Sequence, residues 1–130
     1  MIGVDKLIYT RVSGHDLIKY YLGDNPTVKP YMTPGDAIAP SITYEHVSAA
    51  VPTAIPGYEI LQYRIDIWAS TQKLTTYLSE AVKDALEGFP YSNQYSTVYF
   101  IFFKSTADTH YLETGINRRA LNLEIKARKI

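Results

Sequence analysis

The sequence predicts an α+β fold, in which a mostly antiparallel four-stranded sheet carries a central amphipathic helix and a helical N-terminal segment. Residues 58–88 carry most of this prediction, because apolar residues recur at every second position up to Ala69 and with helical spacing from Leu74. Segments with apolar residues at every second position also precede and follow residues 58–88. The predicted order is therefore strand, strand, helix, strand, strand. Two hairpins joined by one helix favour an antiparallel sheet with helices on a face, in one domain, residues 1–130.

The first 40 residues predict helices followed by a loop. Residues 1–22 contain two short helical patterns, which Ser13 and Gly14 separate, although one bent helix would also fit. Residues 23–40 contain four prolines and two glycines, which is typical of an irregular segment. The sheet-and-helix core is therefore expected within residues 41–130.

The first strand is predicted at residues 42–47, and an uncharged segment follows it. Residues 48–57 read SAAVPTAIPG, with two prolines, one glycine and no charged side chain. A loop in solvent usually carries charged or polar residues, whereas this one presents Val51 and Ile55. We interpret it as a hairpin tip or arm that contacts a partner through these two residues. The alternative is that the segment folds back on its own core.

The central strand has one apolar face and one polar face. Gln62, Arg64 and Asp66 share the polar face with Trp68, which breaks the pattern. We expect another chain to bury Trp68, with a loop of the same chain as the alternative cover. The helix that follows begins after a cap at Ser70 or Thr71 and is expected to end at Gly88, before Pro90. The alternating apolar residues of the strand are Leu61, Tyr63, Ile65, Ile67 and Ala69.

The third long strand, residues 97–105, is apolar on both of its expected faces. Strict alternation places Tyr99, Ile101 and Phe103 on one face, and Val98, Phe100 and Phe102 on the other. The helix can cover one face, and the N-terminal helices or a neighbouring subunit must cover the second. We assign Tyr99, Ile101, Phe103 and the downstream Tyr111 to a subunit or partner interface. Residues 106–115 are expected to form a polar loop before a last strand at residues 117–128.

The sequence predicts no catalytic, metal or cofactor site. The three histidines lie far apart, and neither nucleophile-elbow nor phosphate-loop motifs occur. Asp66 and Glu124 could be posed as a carboxylate pair, but Arg64 and Lys126 alternate with them, and cross-strand ion pairs explain that pattern. With 13 basic and 13 acidic residues, the chain lacks the broad basic surface that holds duplex DNA. The N-terminus resembles neither a secretory signal nor a membrane span.

Several stretches together resemble the tail completion family of tailed bacteriophages, whose members are called tail terminators or tail-to-head joining proteins. An extended PSITYEHVS leads through a loop into YRIDIWASTQKLTTYLSEAVKDALEG, and the chain closes on an alternating NRRALNLEIKAR strand. The family's most recognisable stretch is a strand ending in an acidic residue, an apolar residue, tryptophan and a small residue, followed by a helix with an alanine and leucine face. The matching positions are Asp66, Ile67, Trp68 and Ala69, then Leu78, Ala81, Val82, Ala85 and Leu86.

This resemblance implies a virion protein in the tail or neck, assembled in the host cytoplasm. Family members form a ring, usually of six copies, on the head-proximal end of the tail tube. The implied partners are the chain itself, the tail tube protein and the head-side connector or stopper protein. DNA would be only passing cargo in the channel, and no membrane is involved.

Other roles remain open at this level. Another neck protein, such as an adaptor or stopper, is the nearest alternative, although the mixed helix and strand pattern favours a terminator. A small-molecule-binding or enzymatic α+β domain would use its tyrosines to line a pocket, and a metabolite would then raise its melting temperature. A generic dimeric interaction module would stop at two chains.

Overall fold

A computed structural model describes residues 2–23, 28–30, 39–47, 51–52, 58–87 and 90–129. In these ranges the chain forms three helices, α1 (Ile2–Ser13), α2 (Asp16–Leu22) and α3 (Gln72–Ala85). It also forms seven strands: β1 (Val28–Pro30), β2 (Ser41–His46), β3 (Val51–Pro52), β4 (Tyr58–Ala69), β5 (Tyr91–Ser92), β6 (Ser96–Tyr111) and β7 (Ile116–Lys129).

The strands form one sheet in the order β1-β2-β4-β7-β6-β5, with β3 also paired to β4. All described pairings are antiparallel except that of β1 with β2. Pairing of β4 with β7 is the longest uninterrupted contact, from Tyr58 opposite Arg128 to Ala69 opposite Asn117. The two predicted hairpins therefore meet at their central strands.

The α+β class is confirmed, but the predicted four-stranded sheet is wrong in detail. The four long strands β2, β4, β7 and β6 are antiparallel neighbours, as expected. Three short strands add to them. β1 lies in the predicted loop, β3 in the predicted arm and β5 in the turn after α3. Strands of two or three residues that contain or adjoin a proline are too short to show an alternating pattern, and only their pairing with a neighbouring strand defines them.

The sheet has a helix-covered face and an open face. The core lies on the helix-covered face, where Leu61, Tyr63 and Ile65 stand opposite Ile125, Leu123 and Leu121. Helix α3 contributes Leu78, Ala81, Val82 and Ala85 to the same core, and α1 contributes Val4, Leu7, Ile8 and Val12. Burial of these apolar side chains is the main stabilising contribution of the fold.

Local signals define the start of α3. The Thr71 Oγ1 accepts a hydrogen bond from the backbone N–H of Leu74 at 3.1 Å, so Thr71 and not Ser70 is the N-cap. Leu86 occupies the C-cap position, two residues before Gly88. The expected end at Gly88 lies outside the described residues.

The predicted loop at residues 106–115 is wrong. Strand β6 continues to Tyr111 and pairs with β7 along its whole length, so only residues 112–115 form the turn. Strand β6 pairs with β5 at Ser92–Thr97 and Tyr91–Val98 alone, so among the described residues its outer edge is free beyond Val98. The side chains of residues 104–110 on this edge are mostly polar, and this part of the sequence therefore resembles a loop.

Candidate assembly surface

The described residues contain no cluster that could bind a metal ion, and the two carboxylates that the sequence suggested as a pair lie apart. No group of three or more histidine, aspartate or glutamate side chains in these ranges could hold a metal ion. Asp66 stands opposite Ala120, whereas Glu124 stands opposite Gln62, so four residues of strand separate the two carboxylates. Likewise, none of the helices in the described part of the chain is long and apolar enough to cross a membrane.

A charged network crosses the open face at Asp66, whose side chain is 3% exposed. Arg118 donates from Nε to Asp66 Oδ1 and from Nη2 to Oδ2, both at 3.0 Å, and Arg64 Nε donates to Oδ2 at 3.2 Å. Arg64 also donates to Glu45 at 2.9 Å. Burial lowers the pKa of Arg118, but the bonds to Asp66 and Tyr111 outweigh it and raise that pKa. This network of ion pairs connects three neighbouring strands, β2, β4 and β7.

Trp68 is fully buried, and groups of this chain contact it. The indole Nε1 donates to Thr43 Oγ1 at 3.0 Å, the Arg118 guanidinium lies 4.9 Å from the ring centroid, and the Tyr111 ring stacks at 6.0 Å. The Tyr111 hydroxyl accepts a bond from Arg118 at 3.1 Å. Trp68 and Tyr111, which the sequence assigned to an interface, therefore contact each other within one chain. The burial of Trp68 requires no second chain.

Polar side chains connect the far end of the β6–β7 hairpin to the start of α3. Asp108 accepts bonds from Arg119 at 2.7 and 3.2 Å and from Gln72 at 3.0 Å. Arg119 also donates to Thr76 on α3 at 3.3 Å. The bonds from Arg119 lower the pKa of the Asp108 carboxyl below its ordinary value. The hairpin is thus held against the body of the protein.

An exposed aromatic cluster lies on the open face of β6, and we call Tyr99, Phe100 and Phe102 the open-face patch. The three side chains are 37%, 45% and 52% exposed. Phe100 and Phe102 stack at 6.3 Å, and the Tyr99 ring stacks on Tyr58 at 5.2 Å. The hydroxyls of Tyr58 and Tyr99 form a hydrogen bond at 3.3 Å, and the bond to Tyr58 raises the pKa of Tyr99.

A bulge explains why strict alternation predicted different faces for these residues. The pairing shifts between Val98 and Phe100, so Tyr99 is an extra residue and the alternation reverses after it. Ile101 is consequently buried in the core, and Phe103 is partly buried against it. An interface at Ile101 and Phe103 remains a prediction, whereas the exposed members of this strand are Tyr99, Phe100 and Phe102. No sequence signal marked the bulge.

A second aromatic cluster lies on the helical side, and we call Leu17, Tyr20 and Tyr77 the helix-face patch. These side chains are 51%, 79% and 45% exposed. Tyr21 joins them, because its ring stacks on Tyr77 at 5.9 Å and meets Tyr20 edge-on at 5.1 Å. The sequence predicted only a helical pattern here, although a seven-residue helix with five large apolar side chains must expose some of them.

The predicted arm is described only in part. Val51 belongs to β3 and pairs with Ile60 of β4. Ile55 lies outside the described residues. Contact of Val51 and Ile55 with a partner therefore remains a prediction.

Comparison with known proteins gives a match in structure but none in sequence. No protein family model and no curated protein sequence matches the chain. Among solved structures, a chain of the "Virion of native gene transfer agent (GTA) particle" superposes with a TM-score of 0.77 at 12% sequence identity, over 97% of this chain and 95% of that one. The chain shares the fold of a virion component.

The superposed part of this chain contains the elements that carry the two exposed clusters. A match over 97% of the chain includes the helices as well as the long hairpin. At 12% identity it establishes the architecture, and the role of individual side chains must come from their own surroundings.

Proposed function

We propose that this protein is a structural component of a tailed, phage-like virion and that it acts as a tail terminator. In this role a ring of identical copies, six in the usual arrangement, lies on the head-proximal end of the tail and joins it to the head connector. The observation that carries the proposal is the shared fold with a virion chain over almost the whole length. The signature from Asp66 to Ala69 at the β4–α3 junction supports the terminator assignment.

The surface of the chain supports an assembly role. A closed ring uses heterologous contacts, so each subunit needs two different surfaces that fit each other. The open-face patch and the helix-face patch are two such apolar surfaces, on opposite sides of the sheet. The other proposed partners are the tail tube protein and the head-side connector, and DNA passes through the channel as cargo.

Disruption of the gene in a phage or prophage that carries it tests the proposal. We expect filled heads beside separate tails in electron micrographs of the lysate, including tails of abnormal length, because the tail end would be neither closed nor joined. Supplying the intact gene in trans should restore joined particles. Normal infectious particles from the disrupted gene would contradict the proposal.

The same micrographs distinguish a tail terminator from a head-side neck protein. Loss of an adaptor or stopper would leave tails of normal length and heads that lose their DNA. Tails of abnormal length beside filled heads would instead support the terminator.

A further inference from the structure

The two exposed clusters are each large enough to form the apolar centre of a protein interface. A large aromatic side chain presents roughly 200 Å² when fully exposed. The exposed fractions given above then correspond to on the order of 300 Å² of apolar side chain in each patch. A stable interface buries about 800 Å² on each partner, with an apolar centre and a polar rim. Each patch therefore fits the centre of one such interface.

The placement of the patches decides how copies can use them. Phe100 and Phe102 stand opposite Lys126 and Glu124 on the open face, whereas Tyr77 lies on α3, which covers the other face. If each patch met its own counterpart through a twofold axis, two separate interfaces would be needed. If the open-face patch meets the helix-face patch, a single repeated contact covers both.

The rim of the open-face patch is basic, and the helix-face patch has an exposed carboxylate as well as a lysine. Lys126 and Arg128 are exposed beside the open-face patch, since Lys126 pairs with Phe100 and Arg128 lies 5.5 Å from the Tyr58 ring centroid. Glu80 follows Tyr77 by one helical turn, and its side chain is 73% exposed. Its separation from Lys83 is 4.0 Å, so the carboxylate remains available to a cation of another chain. Lys73 covers part of the Tyr77 ring at 5.7 Å.

We infer that successive copies of this chain pack head to tail, with Tyr99, Phe100 and Phe102 of one copy against Leu17, Tyr20 and Tyr77 of the next. The helical layer of each copy thereby covers the exposed aromatic part of the neighbour's sheet. The inference rests on the proposed function, since it assigns the contact between subunits of the proposed ring.

Disulfide trapping tests this pairing, because the chain contains no cysteine. The full-length double variant Tyr20→Cys/Phe102→Cys carries one thiol in each patch. Under mild oxidation at high protein concentration, we expect a ladder of covalent species beyond the dimer, which a reductant reverses. An equal mixture of the two single variants should stop at the covalent dimer, because each chain then has one thiol.

The control double variant is Tyr20→Cys/Leu112→Cys. Leu112 is 88% exposed at the hairpin turn and belongs to neither patch, so random collisions would cross-link it as readily. We expect several-fold less material beyond the dimer from this control. Far-ultraviolet circular dichroism confirms that every variant is folded, and the replaced side chains are all exposed.

Three outcomes would overturn the inference. They are abundant covalent dimers from Phe102→Cys alone, equal ladders from the two double variants, and a protein that stays monomeric and uncross-linked at its highest soluble concentration. The gene disruption is an independent readout. A ladder of covalent species together with normal particles from the disrupted gene would support the contact and contradict the virion role. Separate heads and tails from the disrupted gene without such a ladder would support the virion role and contradict the contact.

Discussion

Asp66 occupies the most constrained polar position described in this protein. Its carboxylate is buried, and three N–H groups of two arginines point at it. A buried charge is costly to desolvate, and the cost is offset only when its partners have good geometry. The bidentate bond from Arg118 supplies that geometry and fixes β7 against β4. Asp66 therefore connects β4 to β7 and accepts three hydrogen bonds from two arginines.

Replacing Asp66 by Asn should destabilise the protein by about 3 kcal/mol, because the partly buried Arg118 loses its counter-charge and Arg64 keeps only Glu45. The amide NH₂ would also point a donor at other donors. Urea unfolding, followed by the fluorescence of the single tryptophan and by circular dichroism, measures the loss.

The matched control for this variant is Asp108→Asn. Asp108 also accepts two bonds from one arginine, but its side chain is 45% exposed, so its loss should cost at most about 1 kcal/mol. Equal losses from the two variants would mean that burial does not distinguish these ion pairs.

Alternation in the sequence placed Trp68 on the open face, with another chain favoured as its cover and a loop of the same chain as the alternative. Alternation along β4 fixes the face of a side chain, because the repeat is local. The covering groups come from Tyr111 and Arg118, on strands more than forty residues away. Tyr111 was expected in a loop, so its stacking on Trp68 could not be foreseen.

At the scale of elements, α3 was predictable, whereas β6 was predicted as a strand only over residues 97–105 and without its bulges. The cap at Thr71 and the apolar stripe of α3 are set by residues three or four positions apart. The faces of β6 depend on two irregularities, between Val98 and Phe100 and between Phe103 and Ser105. Each irregularity shifts the alternation by one residue, and composition does not mark either. The exposed aromatic residues of this strand were therefore assigned to the wrong faces.

Replacing Thr71 by Ala should cost about 1 kcal/mol, because the backbone N–H of Leu74 loses its acceptor at the start of α3. The adjacent Ser70→Ala removes a similar exposed hydroxyl that does not cap the helix, and it should change stability by less than about 0.5 kcal/mol. Urea midpoints of the two variants give the comparison. If Ser70→Ala proved the more damaging, Thr71 would not be the functional cap.

For the whole molecule, the sequence predicted the two hairpins and the helix between them but not the relation of the two exposed patches. The hairpins follow from alternation and chain order. The patches depend on which side chains of α2 and α3 remain uncovered after packing, and this is a property of the assembled layers. Tyr20 is 79% exposed although its neighbour Ile18 is fully buried.

Contacts of protonated tyrosine and arginine side chains hold helix α1 against the sheet. The Tyr63 hydroxyl donates to Asp5 of α1 at 2.6 Å, and burial together with this bond raises the pKa of Tyr63. Arg11 of α1 donates to the carbonyl oxygens of Ala85 and Glu87 and lies 4.3 Å from the Tyr91 ring centroid. Burial raises the pKa of Tyr91 to about 12. Docking of α1 is thus linked to pH.

The free energy of unfolding should fall as pH rises from about 10 to about 12. Below the ordinary tyrosine pKa of 10.0, Tyr91 is protonated in both states, and its contribution is fully present. Above it, the unfolded chain releases the proton while the folded chain retains it until about pH 12, so stability is lost across that interval. Tyr91→Phe should therefore flatten the stability profile in this range. Urea midpoints across the range measure the slope, and the exposed Tyr20→Phe should behave like the parent. If the free energies of unfolding of Tyr91→Phe and the parent fell in parallel with pH, Tyr91 would not be responsible for the loss of stability at alkaline pH.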